Sequence, residues 1–94
     1  MIQRFRVFGE SMSPALADGQ YVVGEFLTYR FRNPKIGDMV VLKSPDSNIN
    51  LIKRIIRTEP GGYFVEGDNK DQSRDSRNFG PVKINEILAK IIYL

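Results

Sequence analysis

The sequence contains no cysteine and no histidine. The first absence removes disulfides, thiolate metal sites and a cysteine nucleophile. The second removes the Ser-His-Asp arrangement. Nucleophilic chemistry is left to Ser, Thr or Lys, with Lys or a carboxylate as base, and neither a metal nor another cofactor is expected. Long apolar runs are missing too. The longest are MVVL at 39–42 and IIYL at 91–94, far short of the ~18 residues that a spanning helix needs. The opening MIQRFRVF has neither the apolar stretch nor the small-residue cleavage site of a secretory signal. These absences predict a soluble, cytoplasmic protein with no membrane span.

What is present is an ordinary globular composition, 41% hydrophobic and 27% charged over 94 residues, which fits a single domain spanning 1–94. The formal charge of +3 raises the question of an anionic partner. The basic residues occur as scattered groups (Arg4 and Arg6, Arg30 and Arg32, Lys53 to Arg57, Lys70 to Arg77) and form no block or aromatic-basic patch at strand spacing. The charge therefore reads as solvation, and no nucleic-acid partner is expected.

Period-2 alternation and β-branched enrichment predict strands at 2–8, 21–26, 38–43, 50–57, 63–66 and 87–93. Between them lie turn clusters, ADG (17–19), NPKIGD (33–38), SPDSN (44–48) and EPGG (59–62). Short strands with frequent turns predict an all-β fold, a small antiparallel barrel or sandwich. One short helix is expected at 14–17, with Ser13 as N-cap, Pro14 at the first helical position and Gly19 at the exit. Residues 67–81, GDNKDQSRDSRNFGP, hold a single large apolar side chain. A loop of that length in so small a chain is expected to be functional and ordered, with Asp75 and Arg77 pairing across its bend.

The helix-start reading uses Ser13 and Pro14 of GESMSP (9–14) but leaves Ser11 without a role. Ser11 falls two residues before the expected cap, and backbone N–H groups at the start of a helix collect partial positive charge that suits an oxyanion. A base for Ser11 must be a lysine or carboxylate, and two lysines stand out. Lys43 ends its strand beside SPDSN and reaches water. Lys53, in LIKRII, shares a strand face with Leu51 and Ile55. Buried there, its charged form would be disfavoured and its pKa lowered; the strand pattern alone favours the other reading, in which it snorkels outward or pairs with a carboxylate. The difference matters, because an unshifted lysine is only about 0.1% neutral at pH 7.5.

GESMSPALADGQYVV, IGDMVVLKSP, LIKRII and GDNKDQSRDSRNFGPV, in that order, resemble the successive boxes of the signal peptidase I family of serine peptidases, from Val7 to Lys90. The resemblance implies Ser11 as nucleophile and Lys53 as general base of a Ser/Lys dyad. It implies Ser73 as the serine that hydrogen-bonds and orients that lysine, Asp75 and Arg77 as the ion pair behind the dyad, and Gly67, Asp68 and Asn69 as the turn that positions it. Gly9 and Met12 flank the serine in the expected oxyanion and substrate region. Gly9 stands where a hydroxyl-bearing residue usually supplies a second oxyanion donor. Two further departures stand out. Only thirteen residues separate Lys53 from Gly67, where many relatives insert a second β-domain, and the usual PGD reads PGG at 60–62.

The implied function is an endopeptidase that removes an N-terminal leader from a precursor protein, its partner. Spanning segments precede the serine box in membrane-bound members, whereas here the box lies within ten residues of Met1, so a soluble unit is expected. In that form, with FGPV closing the last box, the chain is most similar to the branch that matures nickel-type superoxide dismutase. The alternatives are a secretory signal peptidase core and a non-catalytic β-barrel binding module; a self-cleaving repressor-type domain would need a cleavable upstream segment.

Overall fold

The computed structural model describes residues 1–93; Leu94, the end of the 91–94 apolar run, lies outside them. Six strands form one antiparallel sheet: β1 (Ile2–Arg6), β2 (Tyr21–Glu25), β3 (Met39–Lys43), β4 (Asn50–Glu59), β5 (Gly62–Glu66) and β6 (Ile87–Tyr93), in the order β1-β2-β6-β3-β4-β5. All six strands predicted from the alternation are present, with boundaries displaced by at most two residues. The fold is all-β as expected.

The central strand β3 is buried on both faces from Met39 to Leu42, which is why MVVL reads as a continuous apolar run rather than an alternating one. Met39 and Val41 join one apolar cluster with Val7, Met12, Leu16, Val22, Ala89 and Ile91. Val40 and Leu42 join the other, with Ile55, Val65, Val82 and Ile87. A bulge in the β3–β6 register, between Val41 and Leu42, leaves Leu88 without a partner. It allows Ile87 and Ala89, two residues apart, to serve opposite clusters.

The edges matter for function. β1 pairs only with β2, and the ladder continues past it through Val7 N–H to Gln20 O and Gly19 N–H to Val7 O. β4 pairs with β3 over Asn50–Arg54, whereas β5 begins its pairing with β4 at Arg54. The first four residues of β4 therefore have an unpaired side. Ile55 N–H bonds toward Asp38 on the β3 side. By the alternation of an antiparallel strand, the peptide groups of Ile52 and Asn50 point to the unpaired side.

Two expectations are corrected. Residues 11–16 form turns rather than the helix predicted at 14–17. Leu16 N–H bonds to Met12 O, but Ala17 N–H is taken by the Gln20 side chain. Gly19, at φ +85°, then turns the chain into β2. The short helices lie elsewhere: α1 (Thr28–Phe31) and α2 (Ser76–Phe79). The 67–81 segment, read as an ordered loop, contains a 3-10 turn at Lys70–Gln72 followed by α2.

Candidate active site

Ser11 sits in the turn that follows β1. Val7 N–H and O hold the entry to β2, and the side chains of Met12 and Leu16 are buried behind it. The front of the turn is gripped by the GDN segment. Asn69 donates its backbone N–H to Ser11 O at 2.9 Å and its side-chain Nδ2 to Glu10 O at 3.0 Å. Asp68 N–H meets Met12 Sδ at 3.4 Å. Ser11 is thus fixed through its own carbonyl and its neighbours' atoms, while its side chain stays half-exposed.

Lys53 lies on β4 opposite Val40, on the face that carries Leu51 and Ile55. It is 3% exposed, and no carboxylate lies within ion-pair distance of it among the described residues. It neither snorkels nor pairs. Burial pushes its pKa below the ordinary lysine value, partly opposed by the negative charge of Asp75 and assisted by Arg77. Because the unfolded chain holds this proton more tightly, burial of Lys53 costs stability at low pH. That cost fades as pH rises from the lowered folded value towards 10.5.

Asp75 supports the site from behind. It is fully buried and accepts from Ser73 Oγ at 2.6 Å, Gly67 N–H at 2.8 Å, Arg77 Nε at 3.0 Å and Arg77 N–H at 3.1 Å. It also caps α2, with Asn78 returning a bond to its N–H. Burial alone would raise the Asp75 pKa, but these donors outweigh it and hold it at about 2. Its contribution to stability is present above the ordinary value of 3.8 and is lost as pH falls towards about 2, roughly 2 kcal/mol in all. Ser73 departs from its implied role: its hydroxyl donates to Asp75 and makes no hydrogen bond to Lys53. Asp75, the acceptor of the Ser73 hydroxyl, is the group whose charge acts on Lys53.

Arg54 is the residue that sequence reasoning left without a role. Lys53 and Arg54 point to opposite faces of β4, and Arg54 grips Asp68 with two parallel bonds, Nε to Oδ1 at 2.9 Å and Nη2 to Oδ2 at 2.8 Å. A covalent and hydrogen-bonded path, Lys53-Arg54-Asp68-Asn69-Ser11, therefore ties the base's strand to the nucleophile's turn. The signal was available, since period-2 alternation sends the second residue of a KR pair away from a buried first one.

Gly67 lies where the parts converge. A Cβ at this position would fall 2.6 Å from both Ser11 O and Ser73 Cβ, and closer still to Ser73 Oγ, well inside contact distance. Gly67→Ala should destabilise the fold by about 1–3 kcal/mol and shift the Ser11 turn, lowering activity more than any surface Gly→Ala. Thermal melts beside peptide-cleavage rates check this. The PGG departure has a similar cause. A Cβ at Gly62 would collide with the Val82 carbonyl, which accepts from Tyr63 N–H at 2.8 Å as the FGPV segment docks on β5. The aspartate of the usual PGD does not fit here.

Ser11, Met12 and Lys53 line one cavity of about 90 Å3, together with Arg6, Val7, Phe8, Asn50, Leu51 and Ile52. Ser11 and Lys53 make no direct hydrogen bond; bonds of this kind often tighten only when substrate is bound. Gly9 N–H is committed to Asp18 Oδ1 at 2.8 Å, so Gly9 offers no oxyanion donor. The Ser11 N–H has no protein acceptor among the described residues. Met12 acts chiefly as an anchor, buried and accepting from Asp68 N–H.

The family model described as "Signal peptidase, peptidase S26" matches residues 1–59 and 57–94. The chain belongs to the signal peptidase S26 family. Among the relatives of this family member, the mitochondrial ATP-independent inner membrane protease subunit 1b of Arabidopsis thaliana is 34% identical, over 92% of this chain and 65% of its own length. Human mitochondrial inner membrane protease subunit 1 is 32% identical, over 90% and 64%. Thylakoidal processing peptidase 1 of Arabidopsis thaliana is 29% identical, over 88% and 38%. The S26 chain described here thus spans less than two thirds of the length of these relatives. The last alignment runs over 131 positions against 94 residues here, so that relative carries insertions.

Proposed function

We propose that this chain is a serine endopeptidase that removes an N-terminal leader from a precursor protein, with Ser11 as nucleophile and Lys53 as base. The observation that carries this reading is a buried Lys53, unpaired among the described residues and with a lowered pKa, on the same small cavity as Ser11, in a chain of the signal peptidase family. Neutral Lys53 takes the hydroxyl proton as Ser11 Oγ attacks the scissile carbonyl. The Ser11 N–H donates to the developing oxyanion. The protonated lysine then gives its proton to the leaving amine, and water activated by the same lysine releases the acyl group. The precursor lies extended between the Arg6–Phe8 segment and the unpaired side of β4. The free peptide groups of Asn50 and Ile52 pair with it there, and small residues before the cut fit a cavity of this size.

The finer reading, a nickel superoxide dismutase precursor as the substrate in the cytoplasm, rests on the short Lys53–Gly67 segment and on FGPV. Among the described residues no helix is long and apolar enough to cross a membrane. The named relatives include a mitochondrial inner membrane protease subunit and a thylakoidal processing peptidase, so other leader-bearing precursors belong in the same assay.

The test is cleavage of synthetic precursor peptides followed by mass spectrometry across pH. Activity should rise along one limb with an apparent pKa below 10.5, because only neutral Lys53 acts as base and burial lowers its pKa. A rate independent of pH from 6 to 10 would count against Lys53.

A further inference from the structure

The cavity that holds Ser11 and Lys53 is also lined by a second cation, Arg6. Arg6 ends β1 opposite Tyr21. Its guanidinium carbon lies 5.6 Å from the centre of the Phe8 ring and 5.7 Å from that of Tyr21, while Arg4 lies 4.3 Å from the same Tyr21 ring. These four side chains, Arg4 and Arg6 on β1, Phe8 just after it and Tyr21 on β2, form an aromatic-basic patch, which corrects the expectation that the chain has none. Arg6 itself makes no hydrogen bond and no ion pair among the described residues. Among the other arginines, Arg32, Arg54, Arg57, Arg74 and Arg77 each hold a carboxylate, whereas Arg4 and Arg30 hold none among the described residues, and of Arg4, Arg6 and Arg30 only Arg6 lines the cavity.

Stacking on aromatic rings restrains the guanidinium without using any of its N–H donors. Arg6 therefore presents a permanent positive charge and a free planar fork at the mouth of the proposed cleavage cavity. A fork of that shape matches a carboxylate, which it can take with two parallel bonds. Lys53, neutral when active, does not compete for that charge.

We propose that Arg6 is a specificity-determining residue that takes an acidic side chain of the precursor close to the scissile bond. This rests on the Ser11/Lys53 peptidase reading, and the test separates the two. Wild-type protein, Ser11→Ala, Arg6→Gln and Arg6→Glu are each incubated with a peptide library that keeps small residues before the cut and is randomised at the flanking positions. Products are read by mass spectrometry. Wild type should enrich Asp and Glu at one flanking position by roughly fivefold or more. Arg6→Gln should abolish that enrichment, and Arg6→Glu should replace it with Lys and Arg. A structural role for Arg6 would lower all rates together and leave the preference unchanged.

Equal acidic enrichment in all Arg6 forms, or none in wild type, overturns the proposal while leaving the dyad intact. Cleavage that survives in Ser11→Ala, or no cleavage by wild type, overturns the peptidase reading and the proposal with it. Salt-sensitive binding of a single-stranded oligonucleotide that both Arg6 variants lose would assign the patch to nucleic acid and likewise overturn it.

Discussion

Ser11→Ala and Lys53→Met should each lower kcat/KM for precursor cleavage by at least about 10⁴-fold, the scale seen when a nucleophile or its base is removed from a serine peptidase. The two should differ in stability. Ser11 is half-exposed and held through its carbonyl, so the alanine variant should melt like wild type. Lys53 sits among Leu51, Val40 and Ile55 with no ion-pair partner among the described residues, and burial works against its charge. Methionine fills similar volume with nothing to desolvate, so Lys53→Met should be more stable than wild type by about 0.5–2 kcal/mol. The gain should shrink as the pH is raised towards 10.5, where wild type no longer buries a charge. Denaturant melts at pH 6, 8 and 10 check it. A variant that is inactive yet more stable marks a residue kept for chemistry; an inactive, less stable one would place Lys53 in a structural network.

Asp75→Ala should have the largest effect on stability, a loss of about 3–5 kcal/mol, because it strips one carboxylate from several buried or half-buried donors at once. Gly67 N–H, the Ser73 hydroxyl and the Arg77 guanidinium all lose their acceptor, and α2 loses its N-cap. Asp75→Asn keeps the shape and some of the bonds, and it isolates the electrostatic role. The Asp75 charge favours protonated Lys53. Removing it should move the rising limb of the pH–rate profile to lower pH, even where the maximal rate has fallen. Urea titration and pH–rate profiles of the two variants read these effects separately. An unchanged limb in Asp75→Asn would show that the aspartate does not act on the lysine.

Much of this site was legible in the chain. The absence of histidine and cysteine narrowed the base to a lysine or carboxylate. Alternation placed Lys53 with Leu51 and Ile55, and the ordered boxes paired it with Ser11. The strands were legible because each has a clear alternating or continuous apolar pattern. The helix at 14–17 was misread because Ser13 and Pro14 are good starting residues in isolation, whereas the Gln20 side chain and the anchoring of Met12 and Leu16 decide the turn. Both act from outside the local pattern. Three other features depend on pairings that neither the alternation nor the boxes specify. Ser73 donates to Asp75 rather than to Lys53, Asn69 grips Glu10 and Ser11, and Asp18 occupies the Gly9 N–H. The KR pair carried a signal for Arg54, but its bidentate bond to Asp68 needed the fold to bring the GDN turn beside β4.

The most direct test of the Ser/Lys account is rapid-quench mass spectrometry with an activated peptide ester, which forms the acyl-enzyme faster than water releases it. The account predicts an acyl adduct on the peptide that contains Ser11. That adduct should form faster as pH rises, along a limb with an apparent pKa below 10.5, and it should be absent in Lys53→Met. An adduct on another residue, or Ser11 acylation that proceeds equally fast without Lys53, would contradict it.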